Sequence, residues 1–292
     1  MKTAKSIFVS LFILITSLPA LAGPRTFVSG FGDDANPGTY ASPMRTLAAA
    51  LLVTDADGEV IVLDSADYDR VTIFQSVSII ASPGVYAGIN VTSDDAIFIN
   101  NGAKIVLRGL TLNGNGTAGR GIYMGSGGVL HVEDCVISGF GDGISVLAST
   151  STQTFIKDSF LRGNDTGIAI STGRASIDHV RAENNRIGMR TDTGTTTTVR
   201  NSVASGNSTG FLAFTRPGDS VATLILEACT AANNDTGITE SFSAAVISNC
   251  TVTGNTTVGV AGLGGFVYSR QNSTVINNGT NVSASITPLS GT

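Results

Sequence analysis

The sequence predicts an all-β protein built as a parallel β-solenoid, in which short strands wind into coils that stack on one another. A segment of roughly twenty residues recurs at nearly constant spacing, and apolar alternations typical of strands fill each copy. The glycine that opens the last strand of each copy marks the period, with steps of 22, 24, 21, 22, 27 and 22 residues. These marker glycines are Gly121, Gly143, Gly167, Gly188, Gly210, Gly237 and Gly259.

One complete repeat, residues 153–174, shows the plan of a coil. It consists of a strand, a corner at Asp158 and Ser159, a second strand, a corner at 164–166, and a third strand that opens at Gly167. Three strands of about five residues with turns between them fill one coil of a solenoid. A leucine-rich repeat has a similar period, but it requires leucine at fixed offsets, which this sequence lacks. Because one coil cannot bury its apolar face alone, we expect the coils to stack into a rod.

Residues 1–22 predict a secretory signal peptide. Two lysines precede an apolar run over residues 7–18, and small residues at Ala20 and Ala22 close the segment. The apolar run is too short to span a bilayer. We therefore expect a secreted or periplasmic mature chain.

The charge balance excludes two classes of partner. The chain has 17 Lys and Arg against 22 Asp and Glu, a formal net charge of −5. An acidic surface disfavours nucleic acid and anionic membrane surfaces. No segment after the signal peptide has the length of a transmembrane helix, so we expect no membrane insertion.

Residues 23–58 predict an N-terminal strand, a loop and a capping helix. Ser42 and Pro43 have the residue types that favour an N-cap and a first helical turn, and the helix is expected to run to about Val53. Such a helix would cover the open end of the stack, where unpaired backbone groups would otherwise recruit another chain. Its apolar residues are Leu47, Ala50, Leu51 and Leu52.

The opening of the mature chain also carries a set of motifs. They are Val28-Ser29, Gly32, Asp34, Asn36-Pro37-Gly38-Thr39, Ser42-Pro43, Thr46-Leu47, Gly58-Glu59-Val60-Ile61-Val62-Leu63 and Tyr68. This set resembles the opening of secreted right-handed parallel β-helix proteins with the pectin-lyase-like fold, which include polysaccharide lyases and many proteins without an assigned activity. The resemblance covers nearly the whole mature chain. It implies a single-stranded right-handed parallel β-helix over residues 59–286, followed by a C-terminal tail at 287–292.

Strand alternation predicts which side chains the third strand of each coil shows to solvent. Ile168 and Ile170 are expected inside, so Ala169 and Ser171 are expected outside. The same register gives a first outward row of Tyr123, Ser145, Ala169, Arg190, Leu212, Thr239 and Ala261. It gives a second outward row of Gly125, Leu147, Ser171, Asp192, Phe214, Ser241 and Leu263. Both rows are mostly small or apolar.

The resemblance makes a polysaccharide lyase one functional hypothesis. A lyase acting on a uronic-acid polymer needs a base and a cation such as Ca²⁺ held by carboxylates. Arg190 with Asp192 is the candidate catalytic pair, Arg186 lies nearby, and Asp142 and Asp165 are candidate metal ligands. Surface ion pairs are the structural alternative for these residues.

A carbohydrate-binding surface without catalysis is the hypothesis that the sequence favours, and it requires no cofactor. Tyr123, Leu212 and Phe214 supply aromatic and apolar groups, and Arg186 supplies a hydrogen-bond donor for a polysaccharide or cell-surface polymer. A loop at 216–219 could instead cover these groups as packing. A structural or adhesive rod is the third hypothesis.

Small polar side chains at the corners leave further alternatives open. Cys135, Cys229 and Cys250 fall at the corner position that serine fills in other coils, and a disulfide between the last two is possible because their coils are adjacent. Asp94 and Asp95 predict a solvated turn or a weak Ca²⁺ site. Asparagine at the second corner matches the glycosylation sequon in several coils, but the corner alone explains its spacing.

Overall fold

The computed structural model describes residues 23–100 and 104–289, so the predicted signal peptide and the last residues of the predicted tail lie outside the described residues. In these two ranges one helix, α1 (Leu47–Val53), accompanies parallel strands. The strands are β1 (Gly23–Val28), β2 (Thr54–Val62), β3 (Ala66–Asp67), β4 (Val71–Ile73), β5 (Val77–Ala81), β6 (Ala87–Asn90), β7 (Ile97–Ile99), β8 (Lys104–Arg108), β9 (Leu110–Met124), β10 (Val129–Glu133), β11 (Val136–Val146), β12 (Gln153–Lys157), β13 (Phe160–Arg162), β14 (Thr166–Ile170), β15 (Arg174–Asp178), β16 (Arg181–Glu183), β17 (Ile187–Thr191), β18 (Thr196–Arg200), β19 (Val203–Ser205), β20 (Thr209–Phe214), β21 (Thr223–Glu227), β22 (Thr230–Ala232), β23 (Thr236–Ser241), β24 (Ala244–Ser248), β25 (Thr251–Thr253), β26 (Val258–Leu263), β27 (Phe266–Ser269), β28 (Thr274–Ile276), β29 (Thr280–Val282) and β30 (Ile286–Pro288).

Three parallel sheets run along the stack of coils. Sheet 1 has twelve described strands in the order β1-β2-β5-β8-β10-β12-β15-β18-β21-β24-β27-β30. Sheet 2 holds the short middle strand of each coil, from β3 to β28, and sheet 3 holds the last strand of each coil, from β4 to β29. The long strands β9 and β11 pass from sheet 2 into sheet 3. The predicted three-strand coil and its parallel stacking are confirmed.

The core consists of columns of apolar side chains that run along the stack of coils, with one column for each inward strand position. In sheet 1 one column places Ile79, Leu107, Val132, Ile156, Ile177, Val199, Leu226 and Ile247 in register. Each of these side chains is at most 1% exposed. Because the period of a strand is two, this inward register fixes which side chains face solvent on every coil.

The capping helix begins later than predicted. Thr46, not Ser42, is the N-cap, and its hydroxyl accepts a hydrogen bond from the backbone N–H of Ala49 at 3.1 Å. Residues before the helix stay extended because Met44 pairs with Val28 of β1. The carboxylate of Asp34, twelve residues away, accepts hydrogen bonds from the Thr46 backbone and hydroxyl and so selects the cap.

The helix covers the first coils as expected, with one exception among its apolar residues. Leu47 and Ala50 are buried, and α1 packs against β1, β2 and β4. Leu52 is 86% exposed instead of buried. Its position five residues after Leu47 places it on the opposite side of a helix with 3.6 residues per turn.

Five first corners of the described coils repeat one small-side-chain contact, at Cys135, Ser159, Ser202, Cys229 and Cys250. Ser159 donates from its hydroxyl to the carbonyl of Lys157 at 2.8 Å, and the Cys250 thiol donates to the carbonyl of Ser248 at 3.2 Å. The residue before each of these takes a positive φ, for example 48° at Asp158. Serine and cysteine can therefore occupy the same corner position, because either side chain makes the same local hydrogen bond.

The described residues contain all three cysteines, and they are free and buried. Burial raises the pKa of Cys135 to about 12. Thiolate is the reactive form, so we expect iodoacetamide to leave Cys135 unmodified in the native protein at about pH 8 and to alkylate it after unfolding. Mass spectrometry of tryptic peptides measures this, and rapid native labelling of Cys135 would contradict the described burial.

A ladder of buried asparagines fills the second corner. The side-chain amide of Asn207 donates to the side-chain oxygen of Asn234 at 3.0 Å, and its own oxygen accepts from the backbone N–H of Asn185 at 2.9 Å. The same pairing repeats along the column Asn164, Asn185, Asn207, Asn234, Asn255 and Asn278. The first five are at most 4% exposed, so the folded corner hides the sequon asparagines.

The marker glycines sit where neighbouring coils approach most closely. A Cβ placed on Gly188 would lie 2.5 Å from the carbonyl oxygen of Gly210 in the next coil. A Cβ on Gly167 would meet the carbonyl oxygen of Gly188 at the same distance. Glycine therefore recurs at this position because a Cβ would clash with the backbone of the next coil.

Candidate functional site

The outward rows of sheet 3 have the predicted register. Phe98, Tyr123, Ser145, Ala169, Arg190, Leu212, Thr239 and Ala261 stand in one row, which Thr72 extends toward the N-terminus. We call this the central row. Ser145 is 7% exposed and Ala169 is 1% exposed, so the middle of the row is covered by its neighbours. The more exposed groups lie toward the two ends.

Arg190 and Asp192, the predicted catalytic pair, are held in one ion pair. The guanidinium Nε of Arg190 lies 3.0 Å from a carboxylate oxygen of Asp192. The Ser171 hydroxyl of the preceding coil donates to the same carboxylate at 2.6 Å. The Asp192 side chain is 17% exposed and the Arg190 side chain 28%. Both charges are therefore occupied by partners within the protein.

Arg186 and Asp165 form a second ion pair at the neighbouring corner. Two guanidinium nitrogens of Arg186 meet the two carboxylate oxygens of Asp165 at 2.5 and 2.8 Å. The hydrogen bond from Arg186 lowers the pKa of Asp165, although burial opposes the shift, and the charges of Arg186 and Arg190 add to the lowering. Asp142 belongs to the preceding coil, beside Thr166 in register, and its charge raises the pKa of Arg186 after the larger effect of Asp165.

The two predicted metal ligands therefore lie on neighbouring coils, and the charges of both act on Arg186. Asp165 is committed to Arg186, while Asp142 stands one coil away. Within the part of the chain that the structure describes, no three His, Cys, Asp or Glu side chains are grouped as a metal site. A Ca²⁺ site at Asp142 and Asp165 stays a prediction of the sequence.

Tyr123 belongs to a compact aromatic and charged group. The rings of Phe98 and Tyr123 are stacked, with centroids 5.3 Å apart and planes 9° apart. The guanidinium carbon of Arg120 lies 3.3 Å from the Tyr123 ring centroid. Asp95 accepts hydrogen bonds from two guanidinium nitrogens of Arg120 at 2.8 and 2.9 Å. We call Phe98, Tyr123, Arg120 and Asp95 the aromatic platform.

Leu212 and Phe214 lie further along sheet 3 and are both partly exposed. The enlarged loop that follows them bonds to the preceding coil: the Arg216 N–H donates to the Thr193 hydroxyl at 3.0 Å, and the Gly194 N–H donates to the Ser220 carbonyl at 2.8 Å. The structure thus does not bring Leu212 and Phe214 together with Tyr123. They are a separate apolar area of the same face.

A cleft of about 990 Å³ opens at the N-terminal end of the central row. Helix α1 forms one wall, strand β4 and the residues after it form the floor, and Asp94, Asp95 and Phe98 form the other wall. Two apolar side chains in the lining, Leu52 and Phe74, are 86% and 60% exposed. The volume is at the upper end of the range of about 300–1,000 Å³ that is usual for ligand sites.

The charged groups of the cleft are all paired. Arg70 meets Asp94 at 2.6 Å, and Asp95 is held by Arg120. Asp34 accepts three hydrogen bonds, from the Thr46 N–H, the Thr46 hydroxyl and the Arg45 N–H. These bonds lower the pKa of Asp34 against the opposing effect of burial.

Phe98, Arg120 and the cleft are functional features that the sequence patterns did not predict. Phe98 could have been found by extending the outward row one coil toward the N-terminus, because Ile97 and Ile99 flank it with the inward pattern. Arg120 and Asp95 are 25 residues apart, so their pairing depends on the length of the coil between them. The cleft depends on how α1 packs against β4, and no local pattern in the sequence predicts that contact.

Comparison with known families gives one match. The family model described as "Right handed beta helix region" matches residues 84–221 and 121–280. No curated protein matches the chain. Between residues 23 and 289 as described, no helix is both long and apolar enough to cross a bilayer.

Solved structures with the same fold confirm the predicted right-handed parallel β-helix. A pectate lyase, Pel9A, shares 15% identity at a TM-score of 0.63, covering 91% of this chain and 79% of its own. The A-module of the mannuronan C-5 epimerase AlgE6 from Azotobacter vinelandii shares 17% identity at a TM-score of 0.62, covering 76% and 67%. XylC in complex with xylose shares 9% identity at a TM-score of 0.64, covering 85% and 69%. At these identities the likeness concerns the fold.

Proposed function

Because the chain belongs to the right-handed β-helix family, we propose that it is a secreted protein that binds a polysaccharide or cell-surface polymer on the outward face of sheet 3. The aromatic platform is the observation that carries this proposal. It joins two partly exposed aromatic rings, which offer apolar surface to a sugar, to a guanidinium and a carboxylate, which bind sugar hydroxyls. Ligand sites typically combine apolar surface with a small number of polar groups that point toward the same space.

The pairing of Arg190 supports binding over catalysis. An arginine side chain stays charged in proteins, and a carboxylate partner holds its guanidinium by charge-assisted hydrogen bonds. Arg190 lies 3.0 Å from Asp192 and would be a poor base for proton abstraction. A polysaccharide lyase that uses Arg190 is therefore the weaker hypothesis.

The solved structures of the same fold support a carbohydrate as the ligand class. They include a pectate lyase, a mannuronan epimerase and a complex with xylose. Fold-level analogy alone is a weak basis for function. Here it agrees with the chemistry of the aromatic platform.

We expect Tyr123→Ala to weaken polysaccharide binding about tenfold, which corresponds to about 1.4 kcal/mol. The change removes one ring of the stack and the surface against which Arg120 lies. The measurement is affinity electrophoresis and calorimetry of the mature protein against neutral and acidic polysaccharides. Ultraviolet absorbance of unsaturated sugar products is followed in the same samples.

Phe155→Ala is the matched control. Phe155 is stacked on His131 at 4.8 Å on the outward face of sheet 1, and it is 39% exposed, so its loss removes a comparable ring pair from another face. Equal loss of affinity in both variants would contradict the location of the site. Growth of product absorbance that disappears in Arg190→Ala would replace the proposal with a lyase. No retention of any polymer would favour a structural rod.

A further inference from the structure

We propose that the N-terminal cleft binds the end of a neutral glycan chain. This inference deepens the function proposed above and rests on it, because the cleft and the aromatic platform share Phe98 and Asp95. A sugar chain lying along the central row would pass from Tyr123 over Phe98 into the cleft. The two regions are therefore parts of one binding path.

Helix α1 closes the cleft on one side, so a sugar chain that enters it along the central row cannot pass through. The central row runs from Tyr123 through Phe98 to Thr72, which lies on the floor of the cleft. Beyond Thr72 the path meets α1, which packs against β4 and contributes Leu51 and Leu52 to the wall. The side chain of Gln75 ties the helix to the sheet by donating to the carbonyls of Leu51 and Thr54 at 3.1 and 3.0 Å. A linear polymer on this face has to terminate there.

The charges of the cleft select a neutral sugar. Asp94 and Asp95 hold the guanidinium groups of Arg70 and Arg120, and the charge of Arg45 acts on Asp34, so the described lining of the cleft offers no unpaired cation. A uronate would have to displace Asp94 from Arg70 or Asp95 from Arg120, and the displaced carboxylate would then lie beside the uronate. Like charges in a partly desolvated site disfavour binding strongly. Hydroxyl groups, in contrast, can donate to the paired carboxylates without breaking the pairs.

The apolar lining suits the same ligand. Leu52 on the α1 wall and Phe74 on the floor expose large apolar side chains in the cleft that Thr72 also lines. A pyranose ring presents C–H faces to such walls and hydroxyls at its edge. Exposed apolar side chains in a concave site mark a surface that is covered in use. The arrangement fits one terminal sugar and its neighbour better than a charged or highly extended ligand.

The test compares chain length, charge and a blocked cleft. Neutral glucan, xylan and mannan chains of short, medium and long length are titrated by calorimetry into the mature protein, together with uronate chains of matched length. We expect one protein molecule bound per neutral chain at every length, because each linear chain has one end of the required kind. We expect uronate chains to bind at least about tenfold more weakly.

Thr72→Trp places a large ring in the cleft from an exposed strand position and should reduce the affinity for neutral chains about tenfold or more. Thr198→Trp, at an outward position of β18 in sheet 1, is the matched control and should bind as the wild type does. A number of bound proteins that rises with chain length would overturn end recognition. So would wild-type affinity in Thr72→Trp or equal binding of uronates.

The two proposals fail in different ways. If polymers bind and Tyr123→Ala weakens them while Thr72→Trp does not, the binding face stands and the cleft is not its end. If neither variant changes the binding of a polymer, the site lies elsewhere and both proposals fall. If no carbohydrate binds the wild-type protein, the proposed function fails, and the inference fails with it.

Discussion

Asn207→Ala is expected to destabilise the protein by about 3–5 kcal/mol, because the change removes an entire rung of the asparagine ladder. The side chain accepts from the backbone and side-chain amides of Asn185 and donates to the carbonyl of Ala182 and the side-chain oxygen of Asn234. Asn207 is 3% exposed, so water cannot readily replace these partners. Each buried polar group left unpaired costs about 1–3 kcal/mol, and the costs do not add fully because the groups are neighbours.

Asn278→Ala is the matched control, since Asn278 is the last described member of the same ladder. Its side chain is partly exposed, and its amide also bonds to the carbonyl of Ile276. We expect a loss of about 1 kcal/mol there, because solvent reaches the vacated partners. Urea unfolding followed by circular dichroism measures both free energies. Equal losses for the two variants would show that burial does not set the strength of the ladder.

Glu240→Ala is the second large effect, and we expect a loss of about 3–5 kcal/mol. Glu240 is 1% exposed although it is acidic. Its carboxylate accepts from the backbone N–H groups of Leu263 and Gly265, each at 3.0 Å, and of Ser243 at 3.3 Å. Alanine leaves these donors buried without an acceptor, which would loosen the turns that close two neighbouring coils.

Glu59→Ala serves as the control for charge removal. Glu59 is paired with Arg25 on the surface, with a side chain 36% exposed, and such pairs contribute less than about 1 kcal/mol. Urea unfolding gives the two free energies, and hydrogen exchange locates the change. We expect faster exchange in Glu240→Ala to be concentrated around residues 240–265, because coils contact only their neighbours. Uniformly faster exchange along the rod would argue against a local anchor.

Most of the fold was predictable because it repeats. The alternation around Ile168 and Ile170 fixed the inward face of one coil, and the marker glycines transferred that register to the others. Contacts between coils were harder to predict from the sequence. Asn185 belongs to the buried ladder, yet it lacks the threonine two positions later that marks the other corners. The helix start was wrong because Asp34 selects Thr46 from twelve residues away.

The candidate site was predictable only in part, for a related reason. Tyr123 was found because strand alternation is a local property. Its partners come from other positions in space: Phe98 from the preceding coil and Arg120 through its bond to Asp95. The cleft requires the packing of α1 on β4, and no local pattern reports that distance. Strand alternation therefore predicted the outward face of sheet 3, whereas the aromatic platform and the cleft became visible only in the three-dimensional structure.

The coil between Thr196 and Thr223 shows how such a rod can acquire new surface. An enlarged loop separates Phe214 from Thr223, yet Leu212 still pairs with Thr239 and Thr196 still pairs with Thr223. The extra residues are extruded at a corner, and the coils on both sides remain in phase. Lengthening a loop adds little closure entropy, about 0.6 kcal/mol for each doubling. The corner after β20 is thus a natural graft point, where a peptide of new specificity can be inserted in the laboratory without redesigning the scaffold.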